Sequence, residues 1–147
     1  MCLFAALASA NSDLDAVFER DALIIEASEH GCYRFDIWLA IEREQQVRGL
    51  MYVREMPAMA GMLGVYALAD YRSMWMKNTL IPLDIVFAKG DGTVTNVARD
   101  TVPQSLVSVR SAEPVSYVLE LNAGTAERLS IDERSRILWG PMLEDVE

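Results

Sequence analysis

A segment between Tyr33 and Ile41 constrains the fold more than any other feature of the sequence. Side chains along a β-strand alternate between the two faces of the sheet, so an apolar period of two predicts a strand with one apolar face. A shorter β-rich run, 23–25, precedes this segment, and His30-Gly31 supplies a turn between the two. The sequence therefore predicts a β-hairpin. Its apolar face consists of Tyr33, Phe35, Ile37, Leu39 and Ile41.

The remaining sequence consists mostly of short strand candidates separated by turn residues. They cover residues 62–66, 72–76, 81–88, 93–99, 115–121 and 136–139. Good helix formers predict one short helix over 42–50, and a second over about 122–129 is capped by the Asn122 side chain or the Thr125 hydroxyl. Because no strand–helix–strand alternation is present, the predicted fold is mainly β: a compact, antiparallel-rich barrel or sandwich with two short helices.

The chain is predicted to form one domain over residues 11–147, because its 147 residues contain no linker or repeat. Hydrophobic residues make up 52% and charged residues 24%, a balance that excludes disorder for most of the chain. The net charge of -9 would repel phosphate backbones and anionic lipids, so no nucleic-acid partner is expected. No stretch approaches the roughly 20 apolar residues of a transmembrane helix.

Residues 1–10 are predicted to be the remnant of a signal peptide. They are small and apolar, and Ala8-Ser9-Ala10 has the small-x-small pattern of a secretory cleavage site, although a basic leading segment is missing. Cleavage there would start the mature protein near Asn11 and place it in the periplasm or outside the cell. The alternative is an N-terminal arm that frays or docks on the domain.

No metal or other cofactor is predicted. Cleavage after Ala10 would remove Cys2 and leave Cys32 single, and His30 with Cys32 is too small a set for a metal site. The methionines offer an alternative, because thioethers bind Cu(I) and three of them follow at three-residue spacing. A core-filling role is the stronger interpretation of these residues, Met56, Met59 and Met62.

Four ordered segments resemble the domain of unknown function 192 family, also called uncharacterised protein family 0127. They are residues 48–51, 61–63, 75–79 with 81–84, and 117–124, and the likeness covers about 33–139. The resemblance implies a small, mainly β domain that often follows a signal peptide and has no established reaction. This chain departs from the family at Gly64, where a Phe usually follows Gly-Met-Leu, and at 131–135, where a glycine-containing turn is usual.

Polar residues embedded in apolar runs are the candidate ligand-binding residues: Arg48, Lys77, Asn78, Asp84 and Glu120. They predict a non-catalytic binding or accessory module with a polar-edged cleft for a small molecule, a saccharide or a peptide. Trp75 is either a core anchor or an exposed ring beside this cleft. The alternative function is a glycosidase-like hydrolase using an Asp84/Glu120 carboxylate pair. A purely structural role is also open, and we expect Asp84 to pair with Arg48 or Lys77.

Overall fold

The computed structural model describes residues 13–29 and 31–142. The predicted signal-peptide segment 1–10 and His30 of the predicted turn lie outside the described residues. Within them, no helix has the length and apolar character needed to cross a membrane.

The described residues form nine strands, two short helices and one further helical turn at residues 13–15. The helices are α1 (Arg43–Arg48) and α2 (Thr125–Leu129). The strands are β1 (Glu19–Glu26), β2 (Cys32–Ala40), β3 (Ala60–Asp70), β4 (Ser73–Met74), β5 (Leu83–Ala88), β6 (Val94–Ala98), β7 (Val109–Arg110), β8 (Val115–Asn122) and β9 (Arg136–Leu138). The mainly β prediction is confirmed, and both predicted helices form.

Seven strands form one sheet in the order β6-β5-β8-β3-β2-β1-β9, and the sheet nearly closes into a barrel. Only β2 and β3 pair in parallel. The two edges meet where Val94 N donates to Ser135 O at 3.1 Å and Ile137 N donates to Gly92 O at 2.8 Å. Gly92 has φ +87, and a Cβ there would clash with the Ile137 carbonyl, so the closure requires glycine.

The predicted hairpin forms from β1 and β2, and it separates two hydrophobic cores. One core fills the barrel lumen, and β2 contributes Phe35, Ile37 and Leu39 to it. Helix α2 adds Ala126 and Leu129 to the same core. On the opposite face of β2, Trp38 and Ala40 are buried in an outer core covered by the segments that follow α1 and β4, whereas Arg34 and Asp36 are exposed. Only the second half of β2 is therefore buried on both faces.

Two local predictions differ from the structure. Strand β7 lies between residues 99 and 115, where no strand was predicted, and it pairs with the very short β4 as a separate two-stranded sheet. The predicted cap of α2 by Asn122 or Thr125 is also wrong. The N-cap residue is Gly124, which has no side chain to cap the helix. Asn122 instead donates to the carbonyls of Met56 and Pro57, at 2.9 and 3.2 Å.

Candidate functional site

Asp84 and Glu120 lie on neighbouring strands but on opposite faces of the sheet. In the register of β5 and β8, Asp84 is opposite Leu121, whereas Glu120 is opposite Ile85. Residues directly opposite each other in an antiparallel pair share a face. Asp84 is therefore on the lumen side with Leu121, and Glu120 is on the outer side with Ile85. The structure does not bring the two carboxylates into one cleft.

The Asp84 side chain is buried and its hydrogen bonds are all to the backbone. One carboxylate oxygen accepts from Asp100 N and the other from Ala126 N, both at 2.9 Å. Asp84 thereby supplies the cap that α2 lacks locally and ties the loop after β6 to β5. Among the described residues it forms no ion pair, so the expected pairing with Arg48 or Lys77 is wrong. Two backbone N–H groups supply the hydrogen bonds that a cation was expected to give.

Two further candidates, Arg48 and Asn78, do not line the cleft that holds Glu120. Arg48 ends α1 with its guanidinium carbon 5.7 Å from the centre of the Phe18 ring. Asn78 has a left-handed backbone with φ 55, and its carbonyl accepts from Tyr52 N at 2.9 Å. Of the five candidates, only Lys77 and Glu120 border the same cleft.

This cleft has a volume of about 470 Å³ and is bounded by α1, the end of β3, β4 and the segment after β4. Its charged and aromatic side chains are one carboxyl group, three cations and three aromatic rings. They are Glu120; Arg43, Arg72 and Lys77; and Tyr66, Tyr71 and Trp75. Glu120 lies at the bottom with 8% of its surface exposed, whereas Tyr71 and Trp75 are 65% and 48% exposed at the rim.

Glu120 has both apolar and polar side chains around it, among them Met62 and Gln46, and it accepts no hydrogen bond from a described residue. Across β3 it is paired with Met62, and a Cβ placed on Gly49, the residue that ends α1, would lie 3.7 Å from its Oε2. No group in residues 13–29 or 31–142 donates a hydrogen bond to its carboxylate or forms an ion pair with it. Burial therefore raises the pKa of Glu120 to about 7. Near neutral pH the group can either donate or accept a proton.

Arg72 and Tyr66 form the wall next to Glu120. The Arg72 guanidinium carbon lies 4.0 Å from the centre of the Tyr66 ring, and one terminal nitrogen donates to the Leu68 carbonyl at 2.6 Å. Burial raises the pKa of Tyr66, the Arg72 charge opposes this effect, and the Glu120 charge adds to it. The charges of Arg72 and Glu120 therefore act on the pKa of Tyr66 in opposite directions. Its ring packs against Gly64, since a Cβ there would approach the ring to 3.2 Å.

At the rim, the Lys77 ammonium lies 5.1 Å from the centre of the Trp75 ring. Trp75 is therefore an exposed residue of the cleft, which was one of its two predicted roles. Four further lining residues were not predicted from the sequence: Arg43, Tyr66, Tyr71 and Arg72. A signal was present for two of them, because aromatic and basic residues recur together at 71–72 and again at 75–77.

No cluster of three or more His, Cys, Asp or Glu residues suited to a metal ion occurs in the part of the chain that the structure describes. Met56 and Met62, two of the three methionines considered as copper ligands, are buried in the outer core. Their position fits the core-filling interpretation.

The domain is a small, nearly closed β-barrel. It has a cleft lined by three cations, with a carboxyl group at the bottom. The chain belongs to the DUF192 family, described as an uncharacterized ACR, whose model matches residues 23–139. The predicted family is confirmed. No curated protein matches the sequence.

Two solved structures resemble the chain closely. One is a candidate transcription regulator from Sinorhizobium meliloti 1021, with 37% identity, a TM-score of 0.79, and coverage of 82% of this chain and 93% of that chain. The other is a protein of unknown function from Novosphingobium aromaticivorans DSM 12444, with 33% identity, a TM-score of 0.80, and coverage of 83% and 86%. These similarities support the fold and leave the function to be argued from the site.

Proposed function

We propose that the protein is a non-catalytic binding module that holds a small polar molecule in the cleft around Glu120. The proposal rests on two charged groups that line this cleft: Glu120, 8% exposed, accepts no hydrogen bond from a described residue, and the buried Nε of Arg72 donates to none. Removing a carboxylate from most of its water without giving it a hydrogen-bond donor costs free energy. A ligand that donates a hydrogen bond to this carboxylate would offset that cost.

The form of the cleft supports a small-molecule ligand. Its volume of about 470 Å³ lies within the usual range for such sites, roughly 300–1,000 Å³. Exposed rings of Tyr71 and Trp75 offer flat apolar surfaces, and the buried carboxyl group offers a specific polar contact. This combination of apolar walls and few polar groups is typical of ligand pockets.

The geometry favours binding over hydrolysis. Two-carboxylate glycoside hydrolysis needs a second carboxyl group facing the same cleft at roughly 5–9.5 Å. Among the described residues, Glu120 is the only acidic residue that lines the cleft, and Asp84 is on the other face of the sheet. Direct DNA binding, which the description of the Sinorhizobium meliloti neighbour suggests, is disfavoured by the net charge of -9.

The proposed location is the periplasm or the extracellular space. Its support is the apolar start of the sequence and the Ala8-Ser9-Ala10 pattern before Asn11. Expression of the reading frame in the native host, followed by N-terminal sequencing of the mature protein, should give a start near Asn11. Recovery of the protein in the cytoplasm with Met1 or Cys2 at its N-terminus would contradict export.

Binding is tested by calorimetry with saccharides and short peptides, on the unaltered protein and on Glu120→Gln. Glu133→Gln is the matched control, because Glu133 is an exposed carboxylate that does not line the cleft. We expect at least one ligand whose affinity falls by about 10-fold or more in Glu120→Gln and is unchanged in the control. Binding that is equally strong in both variants would contradict a role for this cleft.

A further inference from the structure

The charged groups of the cleft differ in burial, and this difference indicates what kind of ligand fits: Glu120 is buried, Arg72 is half-buried, and Arg43 and Lys77 are exposed. A single acidic residue, Glu120, lies at the bottom, and three cations, Arg43, Arg72 and Lys77, line the walls and rim. Within the described residues no other Asp or Glu lines this surface. In a chain with 22 acidic and 13 basic residues, the excess of cations is a local reversal of the overall charge. The cleft therefore offers one buried acidic group and several more exposed basic groups.

The acidic group and the basic groups of the cleft bind different ligand groups. A buried carboxylate without donors is best satisfied by a group carrying several N–H bonds, such as an ammonium group. The walls offer the planar guanidinium of Arg72, already positioned by the Tyr66 ring and the Leu68 carbonyl, and the ammonium of Lys77 beside Trp75. Guanidinium and ammonium groups bind carboxylates. The cleft thus fits a molecule with an amine at one end and an acid at the other.

We propose, on the basis of the binding function above, that the ligand is a small zwitterion, an amino acid or short peptide, with its amine at Glu120 and its carboxylate at Arg72 and Lys77. The exposed rings of Tyr71 and Trp75 contact the apolar part between the two charged ends. A neutral saccharide would satisfy Glu120 through a hydroxyl group but would leave the cations without a partner.

The zwitterion requires a defined proton transfer on binding. Near pH 7 part of the Glu120 population is protonated, because burial raises its pKa to about 7. An ammonium group beside it favours the ionised form, so the proton leaves Glu120 for the buffer. The titratable and charged groups around it are Tyr66 on β3, Arg43 on α1, and Arg72 and Lys77 on the wall. A ligand that placed an anion at Glu120 would instead cause proton uptake.

Calorimetry of the full chain with trialanine tests this proposal against three matched compounds: N-acetylated trialanine, C-amidated trialanine and free L-alanine. Measurements at pH 7 in phosphate and in Tris give the number of protons exchanged, because these buffers differ in ionisation enthalpy. We expect trialanine or alanine to bind with net release of protons. Acetylation should weaken binding by about 10-fold or more, and amidation by a smaller factor.

Variants assign the two ends of the ligand. In Glu120→Gln we expect proton release to disappear and the acetylated and free peptides to bind alike. In Lys77→Met we expect the amidated and free peptides to approach the same affinity, with proton release retained. The comparison of trialanine with alanine distinguishes a peptide from a single amino acid.

Several outcomes would overturn the zwitterion. They are failure of both trialanine and alanine to bind, equal binding of the acetylated peptide, or proton uptake on binding. If maltotriose binds instead, with loss of affinity in Glu120→Gln, the binding function stands and the zwitterion is wrong. If neither the peptides, alanine nor maltotriose binds, both proposals fail.

Discussion

Asp84 and Glu120 have nearly the same sequence context and opposite roles in the structure. Each is a single acidic residue between two large aliphatic residues, Leu-Asp-Ile and Leu-Glu-Leu, and each lies in a central strand. Both are buried, with 1% and 8% of their surfaces exposed. Their strands are adjacent, but the register places one side chain in the lumen and the other on the outer face.

The difference between them lies in their hydrogen-bonding partners. Asp84 accepts two backbone N–H groups and so connects β5 to α2 and to the loop after β6. Glu120 receives no such donor from a described residue, and its burial disfavours the charged form. A buried carboxylate with partners stabilises the fold, whereas one without them costs stability. The hydrogen-bonding partners of a buried acidic residue therefore identify its role better than its burial does.

The largest effect is expected for Asp84→Ala. The substitution would leave Asp100 N and Ala126 N without their acceptor in a buried place, which should lower the free energy of unfolding by about 3–5 kcal/mol. Urea denaturation measures this change. If the variant does not fold, Asp84→Asn retains one acceptor oxygen and should lose about 2 kcal/mol. Unchanged stability of the Asn and Ala variants would remove the structural role of Asp84.

The opposite sign is expected for Glu120→Gln. The folded pKa of Glu120 is about 7 and the ordinary value is 4.5, so the protonated form is favoured in the folded state. Its stabilising effect is fully present below pH 4.5 and is lost as the pH rises through about 7. At pH 8 the variant should therefore be more stable than the unaltered protein by about 3 kcal/mol, at 1.36 kcal/mol per pKa unit.

The pH dependence provides the control for this prediction. Denaturation curves at pH 5 and pH 8 should show the two proteins approaching equal stability at pH 5 and separating at pH 8. Asp132, whose pKa is lowered to about 2 by its hydrogen bonds to Arg134 and Ser28, loses its contribution only below pH 4 and does not interfere. A difference that is the same at both pH values would mean that Glu120 is not protonated near neutrality.

The fold could be predicted from the sequence because its signals are local. The alternation from Tyr33 to Ile41 and the turn residues between short apolar runs predicted most strands within a few residues. Barrel closure was left open beside a sandwich, because it depends on the contact between Gly92 and Ile137. These residues are far apart in the chain, and no local pattern specifies that they meet.

The site was predicted only in part, for the same physical reason. The embedded polar residues drew attention to Lys77 and Glu120, which do line one cleft. Asp84 has the same apolar flanks, and a shift of one residue in register exchanges the two faces of a strand. The sequence alone does not specify that register. Arg72 and Tyr66 were missed because their proximity to Glu120 arises from the packing of three separate segments.

A smaller effect is expected for Gly49→Ala at the bottom of the cleft. Gly49 has φ 47 and ψ -132, a conformation that side-chain-bearing residues rarely adopt, so alanine should destabilise the protein by about 1–2 kcal/mol. The added Cβ would be 3.7 Å from Glu120 Oε2 and would cause no clash. Urea denaturation should therefore show the same loss at pH 5 and pH 8. A loss that changes with pH would mean that Gly49 affects the ionisation of Glu120.

The smallest effect is the coupling between Asp84 and Arg48, which we expect to be close to zero. The Arg48 guanidinium lies over the Phe18 ring and forms no ion pair with Asp84, so Arg48→Gln should cost less than about 1 kcal/mol. In a double-mutant cycle with Asp84→Asn, the two losses should add within about 0.5 kcal/mol, as they do for residues without shared partners. A coupling energy above about 1 kcal/mol would show that Asp84 depends on this cation, and its contrast with Glu120 would then not rest on the backbone N–H groups alone.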